Sequence, residues 1–243
     1  MPKAGNAAAE YEDAFWPPKR LRTRKAQLRL AVADGATETS YSGLWAKQLV
    51  EAFGYGRVRP ETLCKDLAPL QERWREEVHG KALPWYTEEN LRSGTFASFL
   101  GLTFSARSPN DHHGAWQALA VGDCCVAQVR GNVVLASFPL GAAADFNNRP
   151  CLLSSDPATN GAIENHLRTL EGTWATDDTF FLMTDALAHW FYQETEQGER
   201  PWNTLRDLDT TDEPKPFPEW IADLRGKGAI KNDDVTLFRA DLH

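Results

Sequence analysis

Residues 28–35 read Leu28-Arg29-Leu30-Ala31-Val32-Ala33-Asp34-Gly35, an apolar run that stops abruptly at a turn dipeptide. Such a run predicts a core strand, and Asp-Gly is a common turn directly after a strand. The strand would therefore deliver the carboxylate of Asp34 to the edge of a sheet. An Asp-Gly turn alone is ordinary loop chemistry, so the meaning of Asp34 depends on whether the same pattern recurs.

The pattern of an apolar strand beside an acidic residue recurs twice downstream. Residues 179–184 predict a core strand that ends at Asp185, and a helix is predicted to follow over residues 186–194. The last predicted strand, residues 235–238, is entered through Asn232-Asp233-Asp234. The chain thus places an acidic residue at the boundary of three separate apolar strands.

Four carboxylates are candidates for one site: Asp34, Asp123, Asp185 and Asp233. An acidic residue beside a core is costly unless something pairs with it. If their strands are neighbours, these carboxylates converge on one edge, and a set of oxygen ligands selects hard cations such as Mg²⁺ or Mn²⁺. Each acid taken alone has an ordinary explanation as a turn or loop residue.

The rest of the chain predicts helices and strands of ordinary length. Three further helices are predicted: one capped by Ser40 or Ser42 and ended by Gly54, one from Pro60 to about Gly80, and a short one over residues 218–225. Further strands are predicted over residues 96–104, 117–129 and 133–136. Residues 105–114 predict a polar loop with His112 and His113 exposed, and residues 139–161 a long surface excursion.

The composition is typical of a soluble globular protein, with 243 residues of which 42% are hydrophobic and 25% charged, and we expect one domain spanning residues 1–243. The net charge of −8 is unfavourable for binding a nucleic-acid backbone, so no nucleic-acid partner is expected. No stretch is apolar enough for a signal sequence or a membrane span, which predicts a cytoplasmic protein without a membrane partner. The four cysteines form no Cys-x-x-Cys pair and are expected to be reduced and mostly buried.

The main basic feature is Lys19-Arg20-Leu21-Arg22-Thr23-Arg24-Lys25, in which cations alternate with other residues. One interpretation is a surface that faces a phosphorylated ligand. The other is a solvated hairpin whose cations point outward. The sequence leaves both interpretations open.

Five short motifs resemble those of the metal-dependent protein phosphatase 2C family, in particular its bacterial members. They occur in the family's order: Glu12-Asp13-Ala14, Ala33-Asp34-Gly35, Gly122-Asp123-Cys124, Thr184-Asp185-Ala186 and Asp233-Asp234-Val235-Thr236. The resemblance extends from about residue 10 to the C-terminus. Each motif is weak alone, but five in the same order make a fairly specific pattern.

The resemblance implies a site for two divalent cations, Mn²⁺ or Mg²⁺. Asp34 would bridge the two ions, and the backbone carbonyl of Gly35 would bind one of them. Asp185 and Asp233 would complete the coordination of the first ion, while Glu12 would contact the second ion through water. The three aspartates are therefore the predicted catalytic residues. In bacterial relatives a third, weaker ion is held as well, and Asp123 is its predicted ligand.

The resemblance also implies a fold and a reaction. The fold would be α+β, with two packed antiparallel sheets flanked by helices on both sides, in agreement with the elements predicted above. The reaction would be hydrolysis of phosphoserine or phosphothreonine in a protein, by a hydroxide that bridges the two cations and attacks phosphorus in line. No Ser-His-Asp or Cys-centred motif offers a protein nucleophile. The expected partner is a phosphorylated protein, such as the target of a bacterial serine/threonine kinase, and the chain is expected to be a monomer.

The sequence departs from the family pattern at the position that usually holds a phosphate-binding arginine, which is Ala8 here. Arg20, Arg22 and Arg24 are candidate substitutes for its bidentate contact. Without a substitute, the alternative function is a catalytically weak or inactive regulatory module that keeps the metal site. Ala36 replaces a histidine that acts as a proposed general acid in some relatives, which predicts slower turnover. A purely structural role would require the ordered motifs to be coincidence.

Overall fold

Two antiparallel β-sheets packed face to face form the centre of the protein. The structure, a computed structural model, describes residues 1–20, 22–23, 25–37, 39, 41–79, 94–108, 110–146, 149–161, 163–208 and 216–243. Helices cover the outer face of each sheet. The predicted α+β sandwich, two sheets between layers of helices, is confirmed.

Ten strands are described, and every neighbouring pair is antiparallel. They are β1 (Ala14–Trp16), β2 (Gln27–Gly35), β3 (Phe96–Ser105), β4 (His113–Val121), β5 (Cys125–Arg130), β6 (Val133–Phe138), β7 (Leu153–Ser154), β8 (Arg168–Ala175), β9 (Asp178–Met183) and β10 (Leu237–Asp241). The first sheet has the order β1-β2-β3-β4-β8, with β7 paired to β3. The second sheet has the order β10-β9-β5-β6.

The described residues include five α-helices. They are α1 (Ser42–Gly54), α2 (Leu63–His79), α3 (Asp185–Glu196), α4 (Pro201–Asp207) and α5 (Phe217–Gly226). Helices α1 and α2 pack on the first sheet, and the other three pack on the second. Across the described ranges, no helix combines the length and apolar character needed to cross a membrane.

The central strands serve two cores at once because successive side chains point to opposite faces. In β2, Ala31 and Ala33 pack under the helices, while Leu30 and Val32 pack between the sheets. In β9, Phe181 lies under the helices and Phe180 lies between the sheets. Both faces are buried, which explains why these strands read as continuous apolar runs rather than alternating ones.

The strand predicted over residues 117–129 is wrong, because two strands in different sheets occupy this segment. The chain leaves β4 after Val121 and enters β5 at Cys125. Gly122 makes the turn with a φ of 98°, a conformation that residues with a side chain rarely adopt. The turn therefore moves the chain from the first sheet to the second and leaves Asp123 at the junction.

The predicted serine cap of α1 is also wrong. The residue before the helix is Tyr41, with a left-handed φ of 63° and no side-chain capping bond. Ser42 is the first helical residue, and its hydroxyl donates to Glu12 Oε1 instead of accepting from a backbone N–H of the helix. Ser40 and Gly80 lie outside the described residues, whereas the predicted end of α1 at Gly54 is confirmed.

Four of the strands and helices were not predicted: β1, β7, β8 and α4. Strand β7 lies within the predicted surface excursion over residues 139–161. Strand β8 pairs along its whole length with β4. Polar residues interrupt its apolar ones and none of its residues is buried, which hides it from a search for apolar runs. Two boundaries also differ, since β4 begins at His113 within the predicted loop and β10 begins at Leu237 rather than at Val235. His112 and His113 are exposed as predicted.

The four cysteines are free, but only two of them are buried. Cys124 packs between the sheets, and Cys125 packs beneath the helices of the second sheet. Cys64 is exposed and Cys151 is partly exposed, so the prediction that most cysteines are buried holds for half of them.

Candidate metal centre

Asp34 occupies the next-to-last position of β2, where the strand reaches the edge of the sandwich. It pairs with Ser98 of β3 in the first sheet. Its carboxylate interacts electrostatically with those of Asp13, Asp185, Asp123 and Asp233. The acids that surround Asp34 therefore come from both sheets and from their connections, rather than from a single sheet edge.

Ser98 links Asp34 to the turn that contains Asp123. Its hydroxyl accepts hydrogen bonds from the backbone N–H groups of Asp123 (3.0 Å) and Cys124 (2.9 Å). Because Ser98 is also the cross-strand partner of Asp34, these bonds fix the turn directly beside Asp34. The Asp123 side chain is buried at this junction of the two sheets.

Asp185 and Asp233 approach from the second sheet. Asp185 follows β9 as the first residue of α3, and its Oδ1 accepts a hydrogen bond from the backbone N–H of Ala186 (2.5 Å). Asp233 lies in the loop before β10. The ammonium of Lys231 connects them, with Nζ 3.2 Å from Asp185 Oδ2 and 2.7 Å from Asp233 Oδ2.

Glu12 is held at the site by its backbone and by its side chain. Its N–H donates to Asp234 Oδ2 (2.6 Å), and its carboxylate accepts from the hydroxyl of Ser42. Asp234 Oδ1 also accepts from the backbone N–H of Lys3 (2.7 Å). Asp234 therefore anchors the N-terminal segment, whereas Glu12 presents its carboxylate near Asp233.

Asp13 forms a buried network with two threonines from the other motifs. Its Oδ2 accepts from the hydroxyls of Thr236 (2.7 Å) and Thr184 (3.1 Å). Thr236 N–H donates to the Thr184 hydroxyl (2.9 Å), which closes the network. Asp13 Oδ1 is buried without a hydrogen-bond partner among the described residues. The network fixes the opening motif against the ends of β9 and β10.

The pKa values of these carboxyl groups are raised. Burial, followed by repulsion from Asp13 and Asp185, raises the pKa of Asp34 well above its ordinary value. Burial also raises the pKa of Asp13 to about 7 and, together with Asp185, that of Asp123 to about 6. The pKa of Glu12 is raised as well, mainly by burial. The site thus concentrates negative charge that is poorly compensated by solvent.

The backbone around Gly35 is closely packed. A Cβ atom at this position would lie 2.8 Å from the carbonyl carbon of Ser42 and 2.9 Å from the carbonyl oxygen of Glu12. The absence of a side chain lets the first turn of α1 and the opening motif approach the end of β2. Gly35 therefore shapes the floor of the acidic site.

These residues fit a divalent cation in their chemistry. The donors are oxygen atoms, they raise one another's pKa, and a buried carboxylate oxygen of Asp13 lacks a partner. Over the described part of the chain, no three acidic, histidine or cysteine side chains are close enough together to enclose a metal ion as they stand. The donors surround a site without closing it, and a lysine ammonium lies between two of them.

The basic run lies in the loop between β1 and β2. The loop begins after Trp16, which pairs with Ala31, and rejoins β2 at Gln27. Pro18 of this loop lines a cavity together with Tyr11 and Asp13, so the loop starts beside the opening motif. Arg24 lies outside the described residues. A role of Arg20, Arg22 or Arg24 as a substitute for the missing arginine stays a prediction.

Several residues of the site were not predicted as functional, among them Asp13, Ser98 and Lys231. Asp13 belongs to the Glu12-Asp13-Ala14 motif, and its position directly before the apolar residues Ala14-Phe15-Trp16 is the signal that identifies it. Lys231 precedes Asp233 by two residues, which is a weak signal for an ion pair. The position of Ser98 depends on strand pairing and has no sequence signal.

The fold is a two-sheet sandwich, and carboxylate oxygens at one end of it form a candidate site for hard cations. The family model described as "Protein phosphatase 2C" matches residues 11–223. Since this match covers most of the 243 residues, the chain belongs to the protein phosphatase 2C family. A comparison with curated protein sequences gave no significant match.

Solved structures share the fold at low sequence identity. The Mycobacterium tuberculosis serine/threonine phosphatase PstP/Ppp matches with a TM-score of 0.61 and 14% identity, over 100% of this chain and 96% of that chain. The PstP catalytic domain in complex with two manganese ions matches with a TM-score of 0.60 and 14% identity, over 99% and 95%. A bacterial serine phosphatase matches with a TM-score of 0.52 and 9% identity, over 96% and 98%.

Proposed function

We propose that this chain hydrolyses phosphoserine and phosphothreonine in proteins, with divalent cations held by Asp34, Asp185 and Asp233. The observation that supports this proposal best is the gathering of acids around Asp34 at the end of β2. Two of these acids, Asp185 and Asp233, lie close enough together to share the ammonium of Lys231. A set of carboxylates at this density is unfavourable without a cation. Membership in the protein phosphatase 2C family gives the cation its expected use.

The ligands in this proposal divide into two groups. Asp34 and the carbonyl of Gly35 come from the end of β2, and Asp185 and Asp233 come from the second sheet. Glu12 and Asp123 would hold surrounding water and a weaker ion. When bound, divalent cations supply Lewis acidity, lowering the pKa of a water between them and polarising a phosphoryl oxygen.

In this proposal the residues of the chain hold the carboxylates in position, and none of them attacks phosphorus. Thr184 and Thr236 fix Asp13 and the two motifs that carry Asp185 and Asp233. Ser98 fixes the turn of Asp123 against β3. These bonds hold the carboxylates in position before a substrate arrives, which reduces the reorganisation needed for phosphoryl transfer. The partner in this proposal is a phosphorylated protein, the product of a serine/threonine kinase.

A second candidate function is a weakly active or inactive module that keeps the cation site. Ala8 favours it, because this exposed residue of a short 3-10 helix carries only a methyl group where relatives carry an arginine. Such a module would bind a divalent cation and a phosphoprotein without useful turnover. Cation binding and hydrolysis must therefore be measured separately.

The test is hydrolysis of para-nitrophenyl phosphate and of a phosphothreonine peptide with Mn²⁺. We expect metal-dependent hydrolysis that EDTA abolishes and that Asp34→Asn lowers roughly 100-fold or more, since a first ligand is lost. The matched control is Asp207→Asn, an exposed carboxylate of α4. A folded native protein that hydrolyses neither ester refutes the proposal. Thermal stabilisation of that inactive protein by Mn²⁺ would then favour the second candidate.

A further inference from the structure

Lys231 occupies the position of a counter-ion within the candidate metal centre. Its Nζ contacts Asp185 Oδ2 and Asp233 Oδ2, which are two of the three proposed catalytic aspartates. The side chains of these acids are only 17% and 19% exposed, whereas that of Lys231 is 58% exposed. The carboxylates are thus fixed in the protein, and the lysine reaches them from the surface.

This arrangement places the ammonium and a divalent cation in competition. A lysine ammonium is a point charge on a flexible four-carbon stem, so it can leave two carboxylates without moving the backbone. The same two oxygen atoms are the ones that a hard cation would take. Binding of the cation would therefore release Lys231 at the rim of the site.

The released ammonium would meet the one anion that the site still has to bind, the phosphate of the substrate. Ala8 provides no cation for that phosphate. The guanidinium of Arg225 donates to the backbone carbonyls of Pro2 and Asp233 through its two terminal nitrogens, and its Nε is buried. Lys231 already lies against two carboxylates of the site and is placed to make the contact.

We propose that Lys231 is a mobile cation that neutralises Asp185 and Asp233 in the metal-free protein and contacts the substrate phosphate once divalent cations take these carboxylates. Lys231 is in this view a phosphate-binding residue whose position depends on the metal. This inference rests on the proposed function for the identity of its ligand. It differs from the family pattern in assigning the phosphate contact to the segment before β10.

The first measurement is Mn²⁺ binding by isothermal titration calorimetry to Lys231→Met, with Lys227→Met as the matched control. Lys227 is an exposed lysine that pairs with Asp223 (2.8 Å) outside the acidic site. Removing the competing ammonium should tighten Mn²⁺ binding about tenfold. It should also lower the melting temperature of the metal-free protein, because Asp185 and Asp233 then repel each other. Unchanged or weaker Mn²⁺ binding overturns the proposal.

The second measurement is binding of inorganic phosphate to the Mn²⁺-loaded protein, again by calorimetry. We expect Lys231→Met to bind phosphate about tenfold more weakly, Lys231→Arg to restore most of the affinity, and Lys227→Met to match the native protein. Equal phosphate affinity in Lys231→Met and native protein overturns the proposal. Both measurements are independent of turnover, so a lack of hydrolysis in the native protein would refute the proposed function and leave this test intact.

Discussion

At the scale of single residues, Gly35 shows how the backbone shapes the acidic site. The space where its side chain would begin is filled by the backbone of Ser42 and of Glu12. Neither neighbour is the flexible end of a side chain, so a substitution must displace the start of α1 or the opening motif. Both of these segments carry groups that bound the candidate metal centre.

We expect Gly35→Ala to weaken Mn²⁺ binding roughly tenfold and to lower the free energy of unfolding by about 2 kcal/mol, a typical cost of overpacking. A Mn²⁺ titration followed by thermal shift measures both effects. Gly161→Ala is the matched control, because a Cβ atom there has no neighbour within 4 Å. Equal Mn²⁺ affinities in the two variants would show that the backbone around Gly35 does not shape the site.

The residues of the site differ in how well the sequence predicts them. Asp34 stands at the end of an apolar strand, and its strand and position followed from local pattern alone. Lys231 and Asp13 depend on contacts between segments that are remote along the chain. Lys231 reaches Asp185 across 46 residues, and Asp13 reaches Thr236 across 223. The pattern of residues around one position does not reveal contacts with residues so far away along the chain.

At the scale of elements, the turn between β4 and β5 determines where Asp123 lies. Its two backbone N–H groups at Asp123 and Cys124 are satisfied by the hydroxyl of Ser98. Ser98 is buried in β3, at 2% exposure. One hydroxyl therefore connects the first sheet to the turn that starts the second sheet.

We expect Ser98→Ala to lower the free energy of unfolding by about 3 kcal/mol, because two buried donors lose their acceptor. Ser105→Ala is the matched control in the same strand, where the hydroxyl is exposed and makes one long bond of 3.4 Å to Ala115. Urea unfolding followed by tryptophan fluorescence gives both values. A difference of less than about 0.5 kcal/mol between the variants would contradict the role of Ser98.

Elements were predicted well where local pattern decides them. The apolar runs of β2, β3 and β9 and the stripe of α2 are long and periodic, and each was found. Strand β8 was missed because its pairing with β4, rather than its own composition, makes it a strand. The split of residues 117–129 between two sheets was missed for a similar reason, since β4 and β5 are both apolar and only Gly122 marks the turn.

At the scale of the whole molecule, the two sheets concentrate charge that neither sheet holds alone. Asp34 belongs to the first sheet, Asp185 and Asp233 lie next to strands of the second sheet, and Asp123 lies between the sheets. The protein also carries a net charge of −8. Folding without a cation therefore brings like charges together, and the folded protein relieves this repulsion by binding protons.

This proton binding predicts how stability depends on pH. In the folded protein the pKa of Asp13 is raised to about 7 and that of Asp123 to about 6, whereas the ordinary value is 3.8. Between about pH 4 and pH 7 the folded state holds protons that the unfolded chain releases. The free energy of unfolding therefore falls as pH rises through this window.

In EDTA we expect the native protein to lose on the order of 2 kcal/mol of stability between about pH 5 and pH 8. Asp13→Asn keeps a hydrogen-bond acceptor for Thr184 and Thr236 but cannot ionise, so its loss over the same interval should be smaller. Asp207→Asn, at an exposed position, should follow the native curve. Saturating Mg²⁺ should reverse the loss at pH 8, because the cation stabilises the ionised carboxylates that the proton no longer neutralises. Melting temperatures of the three proteins across this pH range provide the measurement, and parallel curves for native protein and Asp13→Asn would show that Asp13 does not carry the effect.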